Sequence, residues 1–273
     1  MKLLLLSSLV VVSIIEGVET VSQAEFLGLA GCDMMQGYLY SKPVCEEEYD
    51  EYLVAHSYVV GKEIRFSFDD SLYDDSGEYK AAIVGTNVTF CAGPADNMKG
   101  LCFTGGDAAF NVVEIPANVY TGPSYAISMW VKCDDPQMWT SVLYTSFDNG
   151  FNSIMPHAWN MRACFRVKSF DPGEERHWCD IMTNDELAKT WCYIVVNYDE
   201  LNHTTSLYLN GQKVSTRNDV PELKLPGRVL LGGDIFQPSF KGKISDLRFC
   251  SAPLDIRTIE KNYKEVAVRM NNV

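Results

Sequence analysis

Three tryptophans and a histidine lie close together in the middle of the chain, at Trp139, His157, Trp159 and Trp178. Exposed aromatic rings stack on the apolar faces of sugar rings, while neighbouring polar groups bond the hydroxyls. We therefore take these four residues as candidate ligand-binding residues. The alternative is that the tryptophans belong to a packed core, as most tryptophans of a two-sheet protein do.

Catalytic motifs are missing from the sequence. There is no Gly-x-Ser-x-Gly elbow, no phosphate-binding glycine-rich loop and no His-Glu-x-x-His pair. We predict no catalytic residue and interpret the protein as a non-enzyme.

The net charge of the 273 residues is −13. Nucleic acids and anionic membranes both require a basic partner surface, so neither is an expected partner. Cations or cationic surfaces are the natural partners of such an acidic chain.

The first residues are typical of a secretory leader. Lys2 precedes an apolar run from Leu3 to Ile15, which is too short to span a bilayer comfortably. Small residues suit cleavage before Val18 or before Glu25, and we favour a signal peptide of residues 1–24. No later stretch is long and apolar enough to cross a membrane. We expect a secreted, extracellular product without membrane insertion.

Two further features suit secretion. Two sequons, at Asn87 and Asn202, predict N-glycosylation. Nine cysteines follow the leader, and an oxidising compartment would pair most of them. The local pairs expected from sequence proximity are Cys32 with Cys45, Cys91 with Cys102, and Cys164 with Cys179. An odd count leaves one cysteine unpaired or bonded to a second chain, so a disulfide-linked dimer is one expectation.

The remaining chain divides into three parts. Residues 25–63 form a cysteine-containing segment with one short helix, predicted from Pro43 and the acids after it. Residues 64–265 form the main domain, and residues 266–273 form a C-terminal tail. Near the end of the main domain, Pro253 and apolar residues at helical spacing predict a short terminal helix.

Short strands separated by turns fill the main domain, without a strand–helix–strand rhythm. In the stretch 191–198 both faces of the strand are apolar, so it must be covered on both sides. Asn210-Gly211 predicts a tight hairpin, because both positions of the favoured turn need positive φ. The fold class is therefore all-β: a two-sheet antiparallel β-sandwich, or jelly roll.

Four stretches, in order, resemble the laminin-G-like jelly-roll domains of the concanavalin A-like lectin/glucanase superfamily. They are "FSFDDSLYDDSG", "GLCFTGGDAAFNVVEIP", "YAISMWVKC", and "WCYIVVNYDELNHTTSLYLNGQKV" followed by "FKGKISDLRFCSAPL". The resemblance covers roughly residues 64 to 265 and is loosest around the tryptophans. It implies a secreted binding or structural module.

The resemblance also implies a calcium site, because many such domains hold calcium near the edge of a sheet. The matching positions are Asp75, the carbonyl of Gly77, and Asp246. Hard cations take several oxygen ligands, and two carboxylates with carbonyls and water would begin such a set. The nearby acids Asp69, Asp70 and Asp74 are alternatives, and so is a plain turn at Asp75 with a paired surface acid at Asp246.

Two more inferences follow from the resemblance. Related pentraxin-type jelly rolls join the strands that correspond to those of Cys133 and Cys192. The residues agree, since Cys133 ends a strand and Cys192 begins one, so their sulfurs fall opposite each other if the strands are antiparallel neighbours. Cys250 also ends a strand and is a competitor for Cys192. The glucanases of the superfamily carry closely spaced acids, Glu-x-Asp-x-x-Glu, on one strand, and no strand here has that pattern.

The leading functional hypothesis is a secreted, lectin-like, disulfide-bonded module that binds a glycan or an extracellular-matrix protein, with calcium as a supporting cofactor. The alternative is an acidic structural protein of an extracellular matrix, including a mineralised one.

Overall fold

The computed structural model describes residues 14–30, 32, 34–39, 62–171, 178–187 and 189–270. The chain forms two compact units, residues 1–57 and 58–273. In the first unit, two short strands pair in parallel and one helix lies between them in sequence. These are β1 (Ile14–Glu16), α1 (Val21–Leu29) and β2 (Met34–Gln36).

The helix α1 runs through the position where we expected the leader to be cleaved, and the leader itself stays a prediction. The helix predicted after Pro43, and Cys45 with it, lie outside the described residues.

The second unit is an antiparallel sandwich, as predicted. Its front sheet has seven strands in the order β12-β11-β10-β9-β16-β7-β4. Their bounds are β4 (Ala82–Val84), β7 (Val112–Ile115), β9 (Leu143–Phe147), β10 (Gly150–Met155), β11 (Arg162–Ser169), β12 (Cys179–Glu186) and β16 (Pro226–Leu231).

The back sheet runs β15-β14-β13-β8-β17-β6-β5, and β3 pairs with β17 outside this path. Its strands are β3 (Glu63–Phe66), β5 (Val88–Ala92), β6 (Lys99–Gly106), β8 (Tyr125–Cys133), β13 (Cys192–Asp199), β14 (Thr204–Leu209), β15 (Gln212–Arg217) and β17 (Ser239–Cys250). Two short 3-10 helices, Ala117–Val119 and Trp159–Met161, lie in connections.

The main core fills the space between the two sheets. Alternate residues of each strand face it, since side chains in a strand point to opposite faces in turn. On β13 the inward residues include Ile194, Val196 and Tyr198, and on β11 they include Phe165 and Val167. The opposite face of β13 is also buried, which confirms that this strand is covered on both sides.

The cover on that side is the C-terminal helix α2 (Ile256–Met270), which continues five residues into the stretch interpreted as a tail. Its buried residues Ile259 and Val266 pack in one cluster with Trp130, Tyr193 and Val195 of the back sheet. The ring of Tyr263 stacks on that of Trp130 with centroids 5.8 Å apart.

The predicted hairpin is confirmed between β14 and β15. Asn210 has φ of 51° and Gly211 has φ of 82°, the left-handed values that a two-residue turn of this kind needs. The Asn210 side chain also accepts a hydrogen bond from the backbone N–H of Tyr193 at 2.9 Å. The turn is thereby tied to the neighbouring strand.

Candidate functional site: the aromatic face of the front sheet

The outer face of the front sheet carries rows of side chains set by the strand register. One row crosses the sheet through Asp180, Arg166, Ser153, Tyr144 and Leu230, each opposite the next on neighbouring strands. These residues alternate with inward core residues, so the pleat alone directs them outward.

Three of the four predicted ligand-binding residues lie on this face and are partly open to solvent. Trp159 is 57% exposed and Trp178 is 51% exposed. Trp139 is half-buried and meets Trp159 edge to face, with ring centroids 4.6 Å apart. Trp159 and Trp178 are therefore not core residues, whereas Trp139 also packs against a small buried cluster that includes Met155 and Cys164.

Arg166 connects the tryptophans. Its guanidinium carbon lies 4.8 Å from the ring centroid of Trp139 and 4.5 Å from that of Trp178. Asp180 accepts two hydrogen bonds from the same guanidinium, both at 2.6 Å, which fixes its plane. Lys168 adds a second cation, 5.5 Å from the Trp178 centroid.

Further aromatic residues lie beyond Trp178 on the same outer face of the front sheet. Phe151, itself buried, lies 5.8 Å from Trp178, 6.1 Å from Phe170 and 5.5 Å from Phe236, measured between ring centroids. Phe170 and Phe236 are 57% and 58% exposed. We name the whole surface the aromatic face and define it by Trp139, Trp159, Arg166, Phe170, Trp178 and Phe236.

The fourth predicted residue, His157, is buried and does not reach the surface. It supports the loop of the tryptophans, because its backbone carbonyl accepts a hydrogen bond from the Trp139 N–H at 2.7 Å. Its Nδ1 has no hydrogen-bond partner among the described residues. Burial lowers the pKa of His157, and a backbone hydrogen bond involving Leu187 opposes this effect. The residue is a support rather than a ligand contact.

The sequence interpretation missed Arg166, Phe170 and Phe236. A signal for Arg166 was present: in "ACFRVKS" the core residues Phe165 and Val167 alternate with Arg166 and Lys168, so the two cations share the outer face. Phe236 gave no such signal, since it lies in a loop and is brought to Phe151 only by the fold.

Three of the described carboxylates on this face, Asp180, Glu114 and Asp234, already have partners. Asp180 is held by Arg166, and Glu114 is held by Arg228 at 3.0 Å. The buried Asp234 accepts a hydrogen bond from the Ser141 hydroxyl at 2.5 Å and others from backbone N–H groups of its own loop. Hydrolysis of a glycosidic bond ordinarily needs two carboxyl groups available to the sugar.

The residues predicted to bind calcium lie elsewhere, where β3 and β17 pair. Asp75 and Asp246 do come together there, but around the guanidinium of Arg65, at 3.4 and 2.6 Å. Arg248 contacts Asp246 as well, at 2.9 Å. Asp246 has φ of 52° and sits in a bulge of β17, which turns its buried carboxylate toward both arginines.

This arrangement does not fit a calcium ion, because two guanidinium groups already neutralise the carboxylates that would bind it. Asp74, one of the alternatives, accepts hydrogen bonds from Ser76 and Tyr79 within its own loop. Within the described ranges, no three His, Cys, Asp or Glu side chains form a group that could hold a metal ion.

The strand register agrees with some of the predicted disulfide pairs and not with others. Cys91 and Cys102 lie diagonally on neighbouring strands, since Thr89 is opposite Cys102 and Cys91 is opposite Gly100. Cys133 and Cys192 also share a face, with Cys192 opposite Val131. Both pairs stay predictions, and so does Cys32 with Cys45.

The register does not support the pair Cys164 and Cys179. Cys179 is opposite Val167 and faces the main core, whereas Cys164 is opposite Met182 and faces outward. The offset of three residues places the two side chains on opposite faces of the sheet.

Cys250 is not placed to link two chains, and it lies on the opposite face of the back sheet from Cys192. Its side chain is buried with only 5% exposure, and burial followed by the charge of Glu63 raises its thiol pKa to about 12. A thiol with so little thiolate and no access is a poor partner for exchange. If Cys250 is the unpaired cysteine, the structure does not support the disulfide-linked dimer expected from the odd count.

Three comparisons with known proteins place the domain. Residues 105–259, more than half of the chain, match the Laminin_G_3 family, described as concanavalin A-like lectin/glucanases superfamily. No curated protein sequence matches.

Among solved structures, domain 4 of AbnA, a GH43 extracellular arabinanase from Geobacillus stearothermophilus in complex with arabinotriose, aligns with a TM-score of 0.62 at 20% identity. The alignment covers 72% of this chain and 96% of that one.

Toxin binding domains give similar alignments. The binding domain of Botulinum Neurotoxin DC in complex with SialylT aligns with a TM-score of 0.52 at 17% identity, over 76% of this chain and 51% of that one. The binding domain of Paraclostridial Mosquitocidal Protein 1 aligns with a TM-score of 0.55 at 14% identity, over 74% and 51%. This chain thus spans about half the length of these toxin domains. At such identities the alignments establish the fold.

The sequence match and the two-sheet architecture agree, and the chain therefore belongs to the Laminin_G_3 family of lectin-like jelly-roll domains within the concanavalin A-like lectin/glucanases superfamily.

Proposed function

We propose that the protein is a non-catalytic glycan-binding module and that the aromatic face is its binding surface. The observation that carries this proposal is the pair of tryptophans, Trp159 and Trp178, each more than half exposed on a sheet face whose neighbouring rings fix them in place. A soluble domain gains nothing in stability from large rings left in water, so their exposure suits a surface that a ligand covers.

The chemistry of the face suits sugars. Flat rings accept the apolar face of a pyranose or furanose, and polar groups beside them select hydroxyl positions. Arg166 and Asp180 supply a charged donor and acceptor between Trp139 and Trp178, and their mutual hydrogen bonds hold both in one orientation. A preorganised surface loses little side-chain entropy when the ligand binds.

The structural relatives support the same class of ligand, because two of them are described in complex with arabinotriose and with SialylT. The partners already held by Asp180, Glu114 and Asp234 support binding without hydrolysis. We further propose that the protein acts outside the cell. Besides the predicted leader, the sequon residues Asn87 and Asn202 are both exposed. Among the residues that the structure describes, no helix has the length and apolarity needed to cross a bilayer.

The test is a glycan array with the full chain, followed by calorimetry with the best oligosaccharide, taking arabinotriose and a sialylated trisaccharide as first ligands. We expect Trp159→Ala and Trp178→Ala each to weaken binding about tenfold, since one sugar-stacking ring contributes on the order of 1 kcal/mol or more. The matched control is Tyr73→Ala, which removes a 45% exposed ring that is not part of the aromatic face.

Loss of binding in the control variant as well, or full binding in the double tryptophan variant, contradicts the proposal. So does release of new reducing ends from the bound oligosaccharide. Binding to mineral or collagen without any sugar dependence would favour the structural-matrix alternative instead.

A further inference from the structure

A cavity of about 740 Å³ lies away from the aromatic face, at one end of the back sheet. It is a groove open to solvent, bounded by the turn between β5 and β6, the segment that leads into β13, and the end of α2. We name it the basic cavity and define it by Met98, Lys99, Lys132, Lys189, Trp191 and Met270. Its volume falls in the range of about 300 to 1,000 Å³ that small-molecule sites occupy.

The floor of the basic cavity is apolar. Met98, Trp191 and Met270 all pack against the cluster that joins the back sheet to α2, and each is only partly buried. Two thioethers and an indole therefore present apolar surface to the cavity while a rigid core supports them from behind. Methionine side chains adapt to ligands of irregular shape.

The rim is cationic. Three lysines, Lys99, Lys132 and Lys189, line the cavity, against one acid, Asp96. Lys99 has only a loose ion pair, 3.7 Å from an Asp70 carboxylate that is itself 67% exposed. On a chain whose net charge is −13, a lining with three lysines and one acid carries a local excess of positive charge. Lysines in such a setting attract carboxylate, sulfate or phosphate groups.

We propose that the basic cavity binds a small amphipathic organic anion. The apolar body of the ligand contacts Trp191 and the two methionines, and its oxyanion head lies among the three lysines. This site is independent of the glycan-binding proposal, since it shares no residue with the aromatic face.

The experiment uses the full chain and octanoate as the probe, measured by calorimetry and by displacement of the fluorescent sulfonate anilinonaphthalene sulfonate. Acetate supplies the head without the body, and 1-octanol supplies the body without the charge. We expect octanoate to bind and to compete with the sulfonate, and both single-feature probes to bind at least tenfold more weakly. Raising the salt concentration weakens octanoate binding, since the lysines are accessible to solvent.

The variant Lys132→Gln/Lys189→Gln should weaken octanoate at least fivefold, and Trp191→Leu should weaken it while keeping an apolar floor. The matched control is Lys80→Gln, which removes an exposed lysine that does not line the cavity. Melting temperatures identify any variant that fails to fold. If Trp191→Leu is unstable, the double lysine variant, which is altered only at the rim, tests the proposal instead.

The proposal is overturned if the double lysine variant binds octanoate as tightly as the native protein does. It is also overturned if the native protein binds 1-octanol as tightly as octanoate. Binding to phosphatidylserine vesicles without affinity for free octanoate overturns it too, and would assign the lysines to a membrane surface. Octanoate binding must persist in Trp159→Ala/Trp178→Ala, so a failure of the glycan proposal and a failure of this one give different results.

Discussion

The two sheets of the sandwich share one core but treat their outer faces differently. The back sheet buries Trp130, Tyr193 and Val195 beneath α2. The front sheet leaves Trp159 and Trp178 more than half exposed and places Arg166 between two of its rings. Both faces are rich in aromatic residues, so composition does not distinguish them. The difference is the helix α2, which covers the back sheet, whereas none of the helices described covers the tryptophans of the front sheet. An aromatic sheet face therefore indicates binding only where it stays open to solvent.

The largest effect is expected from a change that weakens the packing of α2 on the back sheet. Ile259 is fully buried between α2 and that sheet. We expect Ile259→Ala to lower the free energy of unfolding by about 2 to 5 kcal/mol, because it removes buried methyl groups and leaves a cavity. Urea denaturation measures the loss. Glycan affinity of the folded variant should stay within twofold of the native protein, and a large change would show that the two faces are coupled.

Acidification should lower the stability of the folded protein through His157. Burial lowers the pKa of this histidine in the folded protein below its ordinary value of about 6.5, so the unfolded chain binds the proton more readily. The stability that neutral His157 provides is therefore complete above about pH 6.5 and declines as the pH falls below that value. Melting temperature measured from pH 8 to pH 5 should fall more steeply for the native protein than for His157→Gln. Parallel curves would contradict this role.

A smaller effect is expected at the start of α2. The Asp255 carboxylate accepts hydrogen bonds from the Thr258 N–H at 3.0 Å and from the Thr258 hydroxyl at 2.6 Å, a typical helix cap. Burial alone would raise the pKa of Asp255, but these hydrogen bonds lower it overall. Asp255→Ala should cost about 1 kcal/mol of stability. The contribution of the native carboxylate should be present at neutral pH and be lost as the pH falls through its lowered pKa.

The exposed rings should matter least for stability. Trp178 contacts Arg166 and Phe151 at the surface, and such contacts contribute about 1 kcal/mol or less at exposed sites. Trp178→Ala should therefore shift the urea midpoint only slightly while it weakens glycan binding. A loss of stability comparable to that of Ile259→Ala would mean that the aromatic face is a structural surface.

Removal of divalent cations should have no effect on melting temperature. Arg65 and Arg248 already neutralise Asp246, and Arg65 also contacts Asp75. A lower melting temperature in EDTA that calcium restores would reinstate the predicted calcium site, and Arg65→Gln would then be expected to strengthen calcium binding.

Much of the fold followed from local patterns. The alternation of β13, the Asn210-Gly211 turn and the helical spacing after Pro253 depend on neighbours in sequence, and the structure has all three. The pair Cys164 and Cys179 shows where such reasoning fails. Proximity in sequence suggested a bridge, but the strand register decides which face each sulfur occupies.

The candidate site divides in the same way. The tryptophans were identifiable because large rings in a loosely matched region suggested a binding surface. Their arrangement could not be predicted, because it depends on contacts between residues far apart in the chain. Phe236 contacts Phe151, and Arg166 contacts Trp139. Likewise Asp75 and Asp246 do meet, yet the cation between them is an arginine supplied by β3.

The class of fold and the burial of β13 on both faces follow from the amino-acid sequence alone, because the periodicity of apolar residues reflects burial. The fold sets which aromatic face α2 covers, which carboxylates the arginines neutralise and which lysines line the same groove as Trp191. These outcomes depend on contacts between residues distant in the chain, and their geometry is fixed by strand register and packing rather than by spacing along the sequence.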